Sequence, residues 1–161
     1  MYEIKAFETK YLEAVIRLVL HCQNDGTRPR VSVADQPELL NIEEKYFAGG
    51  GFFWIAVERE RLAGTIGLMN YGNGTGILKK FFADEKYRGK PYHLGQKLYA
   101  RLLDFALEHN YKELILDTPK NTARAHQFYE KAGFIKIPEE RLPVKYDYPY
   151  EECDFFHLSL L

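Results

Sequence analysis

The spacing of apolar residues changes several times along the chain, and each change marks an element. Residues 2–7, YEIKAF, alternate like a half-buried strand, and Thr9 stands where a helix N-cap is expected. Tyr11, Val15, Leu18, Val19 and Cys22 then fall on one face of a helix. A loop through Asp25, Gly26, Pro29 and Pro37 leads to a second helical stretch, PELLNIEEKYF, which stops at Gly49, Gly50 and Gly51. An irregular segment of that length is commonly a binding loop.

Three strands should follow as an antiparallel meander. FFWIAV is apolar enough to be central, ERER reverses the chain, LAGTIGLMNY returns it, and the turn at Gly72, Asn73 and Gly74 enters ILKKFFA. The period then becomes helical over 94–109, with Leu94, Leu98, Leu102, Leu103 and Ala106 on one face and Gln96, Lys97, Arg101, Asp104 and Glu108 opposite. ELILDT reads as a buried strand, and the long crossover lets it pair in parallel with ILKKFFA. TARAHQFYEKAGF predicts another helix, with Ala125, Phe128, Tyr129 and Ala132 on one face and Gly133 as its cap. FIKI and DFFHLSLL would complete the sheet, and RLPVKYDYPYEE between them reads as a structured loop.

The 161 residues fit one domain spanning 1–161. The formal net charge of −1, from 22 basic and 23 acidic side chains, gives no global reason to expect a nucleic-acid partner or an anionic membrane. The first residues lack a secretion signal's pattern, with Glu3, Glu8 and Glu13 interrupting them, and no apolar run reaches the roughly 20 residues of a membrane span. Cys22 and Cys153 resemble neither a disulfide framework nor a metal site. The expectation is a cytoplasmic protein with two inert thiols and no metal. His21, His109 and His157 have no partner at ligand spacing and read as surface or packing residues.

Chemistry concentrates between residues 80 and 134. FFAD leads through YRGKPYHLGQKL into the long helix, and a helix start behind a glycine-containing loop offers free amides and a partial positive charge to a phosphate. Arg88, Lys90 and Lys97 could add charge there, although a basic loop entering a helix is also an ordinary solvated connection. FYEKAGF follows one strand later. By itself Tyr129 fits a buried aromatic with a satisfied hydroxyl. Together, in this order and spacing, the two segments resemble the GNAT acetyltransferase superfamily, whose Arg-Gly-x-Gly-x-Gly loop opens one helix and whose Asn-x-x-Ala-x-x-x-Tyr-Glu-Lys-x-Gly-Phe run lies on the next.

The resemblance implies an α/β (α+β) fold: a mixed, mostly antiparallel twisted sheet of about six to seven strands, flanked by about four helices, with a splayed parallel pair at the cofactor site. It implies acetyl-CoA as co-substrate. The pantetheine arm would bond the backbone of Phe81, Phe82 and Ala83, and the pyrophosphate would sit on Arg88, Gly89, Lys90, Gly95 and Gln96. Leu94, Lys97, Thr122, Ala125 and Phe128 complete the implied cofactor contacts. Tyr129 matches the family's general acid: a phenol of pKa near about 10 stays protonated at neutral pH and can protonate a departing thiolate.

Two positions depart from the pattern. KPYHL lengthens the stretch between Gly89 and Gly95, and Pro91 there has no amide hydrogen to give a phosphate. Thr122 occupies the family's asparagine position. ILKKFFA also lacks the carboxylate that many relatives use as a base, which leaves Asp84, Asp117, His126 or water. The resemblance implies a small-molecule or peptide amine as acceptor, whose positive charge would be attracted by Asp147, Glu151, Glu152 and Asp154; monomer and homodimer both remain open. The competing expectation is a non-catalytic acyl-CoA-binding module on the same fold. An oxidoreductase fits less well, because no glycine fingerprint follows the first strand.

Overall fold

The computed structural model describes residues 1–26 and 30–161; Pro29, read above as part of the first loop, lies outside them. Its elements are β1 (Glu3–Ala6), α1 (Leu12–Gln23), β2 (Phe52–Glu58), β3 (Arg61–Asn70), β4 (Thr75–Ala83), α2 (Leu94–Glu108), β5 (Glu113–Pro119), α3 (Ala123–Lys131), β6 (Ile135–Ile137) and β7 (Cys153–Ser159). The strands form one sheet in the order β1-β2-β3-β4-β5-β7-β6. Every neighbouring pair is antiparallel except β4 and β5. The meander, the parallel pair and the closing β6–β7 pair are those expected from the pattern.

Both faces of the sheet are covered, which explains why β2 is apolar from Phe52 to Val57 instead of alternating. Trp54 and Ala56 face Leu98, Leu102 and Ala106 of α2, while Phe53 and Ile55 face Val15, Leu18 and Val19 of α1. β5 divides in the same way, with Leu114 and Leu116 on the α2 side and Ile115 on the α1 side. Gly133 follows α3 with φ +97°, the left-handed step that ends a helix, and Phe134 N donates back to Tyr129 O.

Two local expectations differ in detail. Thr9 opens a 3₁₀ turn (Thr9–Tyr11) and α1 starts only at Leu12. The Thr9 hydroxyl donates to Glu43 Oε1 at 2.7 Å, so a tertiary partner displaces the cap. PELLNIEEKYF is helical but divided into a 3₁₀ segment (Pro37–Asn41) and a π-turn (Glu43–Phe47). That division lets Leu39, Ile42 and Tyr46 all reach the α1-side core. Gln23 and Gln36 exchange side-chain hydrogen bonds of 2.8 and 2.6 Å, which fasten the end of α1 to this segment.

Candidate active site

The site exists because two parallel strands part company. β4 and β5 pair over Thr75–Glu113, Gly76–Leu114 and Ile77–Ile115, yet β4 runs on to Ala83 and β5 to Pro119. The register of β4 against β3 shifts between Thr65 and Gly67, Lys80 adopts φ +53°, and Thr65 Oγ1 donates to Lys80 O at 2.7 Å. An extra residue in one strand bends it and re-aims its side chains. The far half of β4 consequently has no ladder partner on the β5 side, and a strand edge of that kind offers hydrogen-bonding groups to whatever lies beside it.

A cavity of about 520 Å³ fills the opening. Phe81, Phe82, Ala83, Arg88, Gly89, Gly95, Gln96, Thr122, Ala125, Phe128 and Tyr129 all line it. Lys90, Leu94 and Lys97 are not among its lining residues. Leu94 is fully buried in the α2-side core, Lys97 Nζ stands 5.5 Å from the Tyr2 ring, and Lys90 is exposed beside Pro91.

α2 begins after His93, which is left-handed at φ +48° and gives no side-chain cap. The first amides of this helix therefore have no capping side chain, and they carry the positive end of its dipole. KPYHL does not hang loose, because His93 N donates to Gly89 O at 2.7 Å and draws the two ends together. Tyr92 packs on Tyr87 and accepts the Tyr2 hydroxyl at its carbonyl, 2.7 Å away, so it is held outside the cavity, whereas His93 lines it. Arg88 Nε donates to Ala83 O at 2.9 Å and ties the loop to the end of β4. Thr122 donates to Pro119 O at 2.7 Å and meets the Thr118 hydroxyl at 2.9 Å, holding the turn between β5 and α3.

Tyr129 is 7% exposed, between Phe81, Phe134 and Phe156. Its hydroxyl makes no hydrogen bond among the described residues. Burial is the main cause that pushes its pKa well above the ordinary phenol value, with the charge of Asp117 and the nearby Tyr99 adding to it. The three residues considered as bases separate clearly. Asp84 accepts from Lys86 N in a turn, and His126 lies beside Pro119 O and Asp154. Asp117 alone of the three lines the cavity. Burial raises its pKa, opposed by Lys79 and by the Tyr146 hydroxyl, which donates to it at 3.0 Å.

The sequence reading missed Lys79 and Lys80. Both line the cavity with side chains only 5% and 3% exposed, and they reach the same Glu38 Oε1 at 3.9 and 3.6 Å. Adjacent strand residues normally point to opposite faces; the irregularity at Lys80 cancels that alternation. A pair of lysines inside an otherwise apolar strand was the available signal. Burial lowers the Lys80 pKa to about 8, against the pull of Glu38. Between about 8 and the ordinary 10.5 the unfolded chain binds the proton and the folded one does not, so this group makes stability rise with pH across that window. In urea unfolding, wild type should gain about 1–2 kcal/mol more than Lys80→Met between pH 7.5 and 9.5. Equal gains would refute the assignment.

Cys22 and Cys153 are not joined in a disulfide, and burial first of all lifts Cys153 to about 12. Among the described residues no His, Cys, Asp and Glu side chains gather into a metal-binding group. No helix among them is long and apolar enough to cross a membrane.

Comparison with known proteins agrees with this geometry. The model of the acetyltransferase (GNAT) family matches residues 13–134, and the chain belongs to that family. A crystal structure of an acetyltransferase from Streptococcus agalactiae is 37% identical and superposes with a TM-score of 0.94, covering 99% of this chain and 98% of that one. A Salmonella typhimurium protein, yncA, solved with its cofactor acetyl-CoA, shares the fold at 16% identity and a TM-score of 0.74, over 99% of this chain and 94% of its own. Human N-acetylaspartate synthetase is 29% identical over 126 residues, 77% of this chain. The chain spans only 37% of that relative's length.

Proposed function

We propose that the protein transfers the acetyl group of acetyl-CoA to a primary amine by direct attack. The observation that carries this reading is the opening between β4 and β5, where the Tyr129 hydroxyl stands unbonded near the uncapped start of α2. A pantetheine arm would lie along the free edge of Phe81, Phe82 and Ala83, and the pyrophosphate would meet Gly95, Gln96 and the loop from Arg88. The yncA complex supports acetyl-CoA as the donor, and the name N-acetylaspartate synthetase supports an amine as the acceptor.

The neutral amine attacks the thioester carbonyl and forms a tetrahedral intermediate. Its collapse breaks the C–S bond, and Tyr129 gives its proton to the leaving thiolate. The proton released by the acylated nitrogen restores the phenol, and Asp117, which lines the same cavity, would relay it. A main-chain amide of β4 would steady the oxyanion, the type of contact that contributes most in acyl transfer. The unbridged thiols of Cys22 and Cys153 suit a reducing cytoplasm.

Purified protein mixed with acetyl-CoA and a panel of amines should release free thiol in proportion to the acetylated amine formed. Tight CoA binding without release across the panel would put a non-catalytic acyl-CoA-binding module in its place.

A further inference from the structure

We propose that the acceptor amine carries a carboxylate, and that Lys79 and Lys80 bind it where β4 leaves β5. The inference rests on the acetyl-transfer reading and names the acceptor class for the same site. Two ammonium groups taken out of water need anionic company. Here a single oxygen, Glu38 Oε1, serves both, at 3.6 and 3.9 Å. Charge-assisted hydrogen bonds close to about 2.7–2.9 Å, so neither contact is tight. Lys79 gives one further hydrogen bond, to Asp147 O at 3.0 Å. An ammonium has three donors to offer.

Asp117 shares the pocket and feels the charge of both lysines, which oppose the rise in its pKa, but it does not close onto either of them. It accepts from Tyr146, and among the described residues it makes no ion pair with either lysine. Among the described residues the pair therefore lines the cavity with donors that no protein acceptor takes up closely, and a carboxylate can take hydrogen bonds from both ammonium groups at once. The same arrangement discriminates against other acceptors, since a polyamine or another multiply cationic amine would bring like charge against two lysines. The acidic loop before β7 does not offset this. Of that loop only Pro149 and Tyr150 line the cavity, and Glu151 and Glu152 are exposed.

Thiol release from acetyl-CoA is measured with each common L-α-amino acid, with its carboxamide and with its decarboxylated amine. At least one amino acid should exceed both of its analogues in kcat/KM by about ten- to a hundredfold. The carboxamide is the less basic amine, so a preference for the acid cannot come from a better supply of neutral nucleophile. Lys79→Met and Lys80→Met should each raise KM for that amino acid by a similar factor and shrink the preference, leaving KM for acetyl-CoA unchanged. Equal or better turnover of the analogues overturns the inference, as does an undiminished preference in both variants. No release with any of these amines also overturns it, and CoA binding measured by calorimetry then decides whether the acetyl-transfer reading falls too.

Discussion

Replacing Tyr129 with phenylalanine is expected to cut kcat for acetyl transfer by about 10²- to 10⁴-fold, the usual contribution of a positioned general acid. Thermal unfolding should stay where it is. The ring would keep its packing against Phe81, Phe134 and Phe156, and the hydroxyl has no hydrogen bond to lose among the described residues. KM for acetyl-CoA should change little, because in the proposed mechanism the group acts on a thiolate that appears only as the C–S bond breaks. The pKa raised by burial keeps the phenol intact well into alkaline solution, so no fall in rate near pH 10 should be traceable to this residue. A variant that kept wild-type kcat would remove Tyr129 from the chemistry.

The largest structural effect is expected at Gly51. A Cβ there would sit 1.9 Å from Leu68 O and 3.1 Å from Tyr46 O, both main-chain atoms that no side-chain rotation can move. Gly51 N donates to Tyr46 O, and the next residue, Phe52, pairs with Leu68 in β3. Gly51→Ala must therefore separate the entry to β2 from the middle of the sheet. The cost should be about 3 kcal/mol or more, seen as a Tm lower by about 6–12 °C. Gly49→Ala is the control, since its nearest atoms are 3.9 Å away and the change should be nearly neutral. Equal melting of the two variants would disprove the close approach.

Most of the architecture could be read from the periodicity, because each long element buries a continuous face. The α2 face from Leu94 to Ala106 and the apolar run of β2 from Phe52 to Val57 left little choice of structure. Gly49–Gly51 signalled a stop, but only three dimensions show that Gly51 is demanded by the Leu68 carbonyl. Short helical pieces were less legible. The split of 37–47 into a 3₁₀ segment and a π-turn follows from tertiary packing, which local spacing does not encode.

The side of the cavity proposed for the cofactor is lined by residues that stood out as a motif, between Phe81 and Gln96 and between Thr122 and Tyr129. Leu94 shows the limit of that approach, since the helical period assigned it to the core and the structure leaves its side chain there. Lys79 and Lys80 escaped notice because alternation assigns neighbours to opposite faces, and the shift that unites them depends on pairing with Thr65 and Gly67. Asp117 was named only for its nearness in the inferred topology. Its bond from Tyr146 comes from a loop far along the sequence, which no local pattern reveals.

The short seam between β4 and β5 also bears on how the molecule behaves as a mechanical object. Strands β1 to β4 form one blade and β5, β7 and β6 the other, and within the sheet the two are stitched only from Thr75 to Ile77 on one side and Glu113 to Ile115 on the other. Whatever is laid in the unstitched part touches both blades, so occupancy and the set of the sheet cannot vary independently.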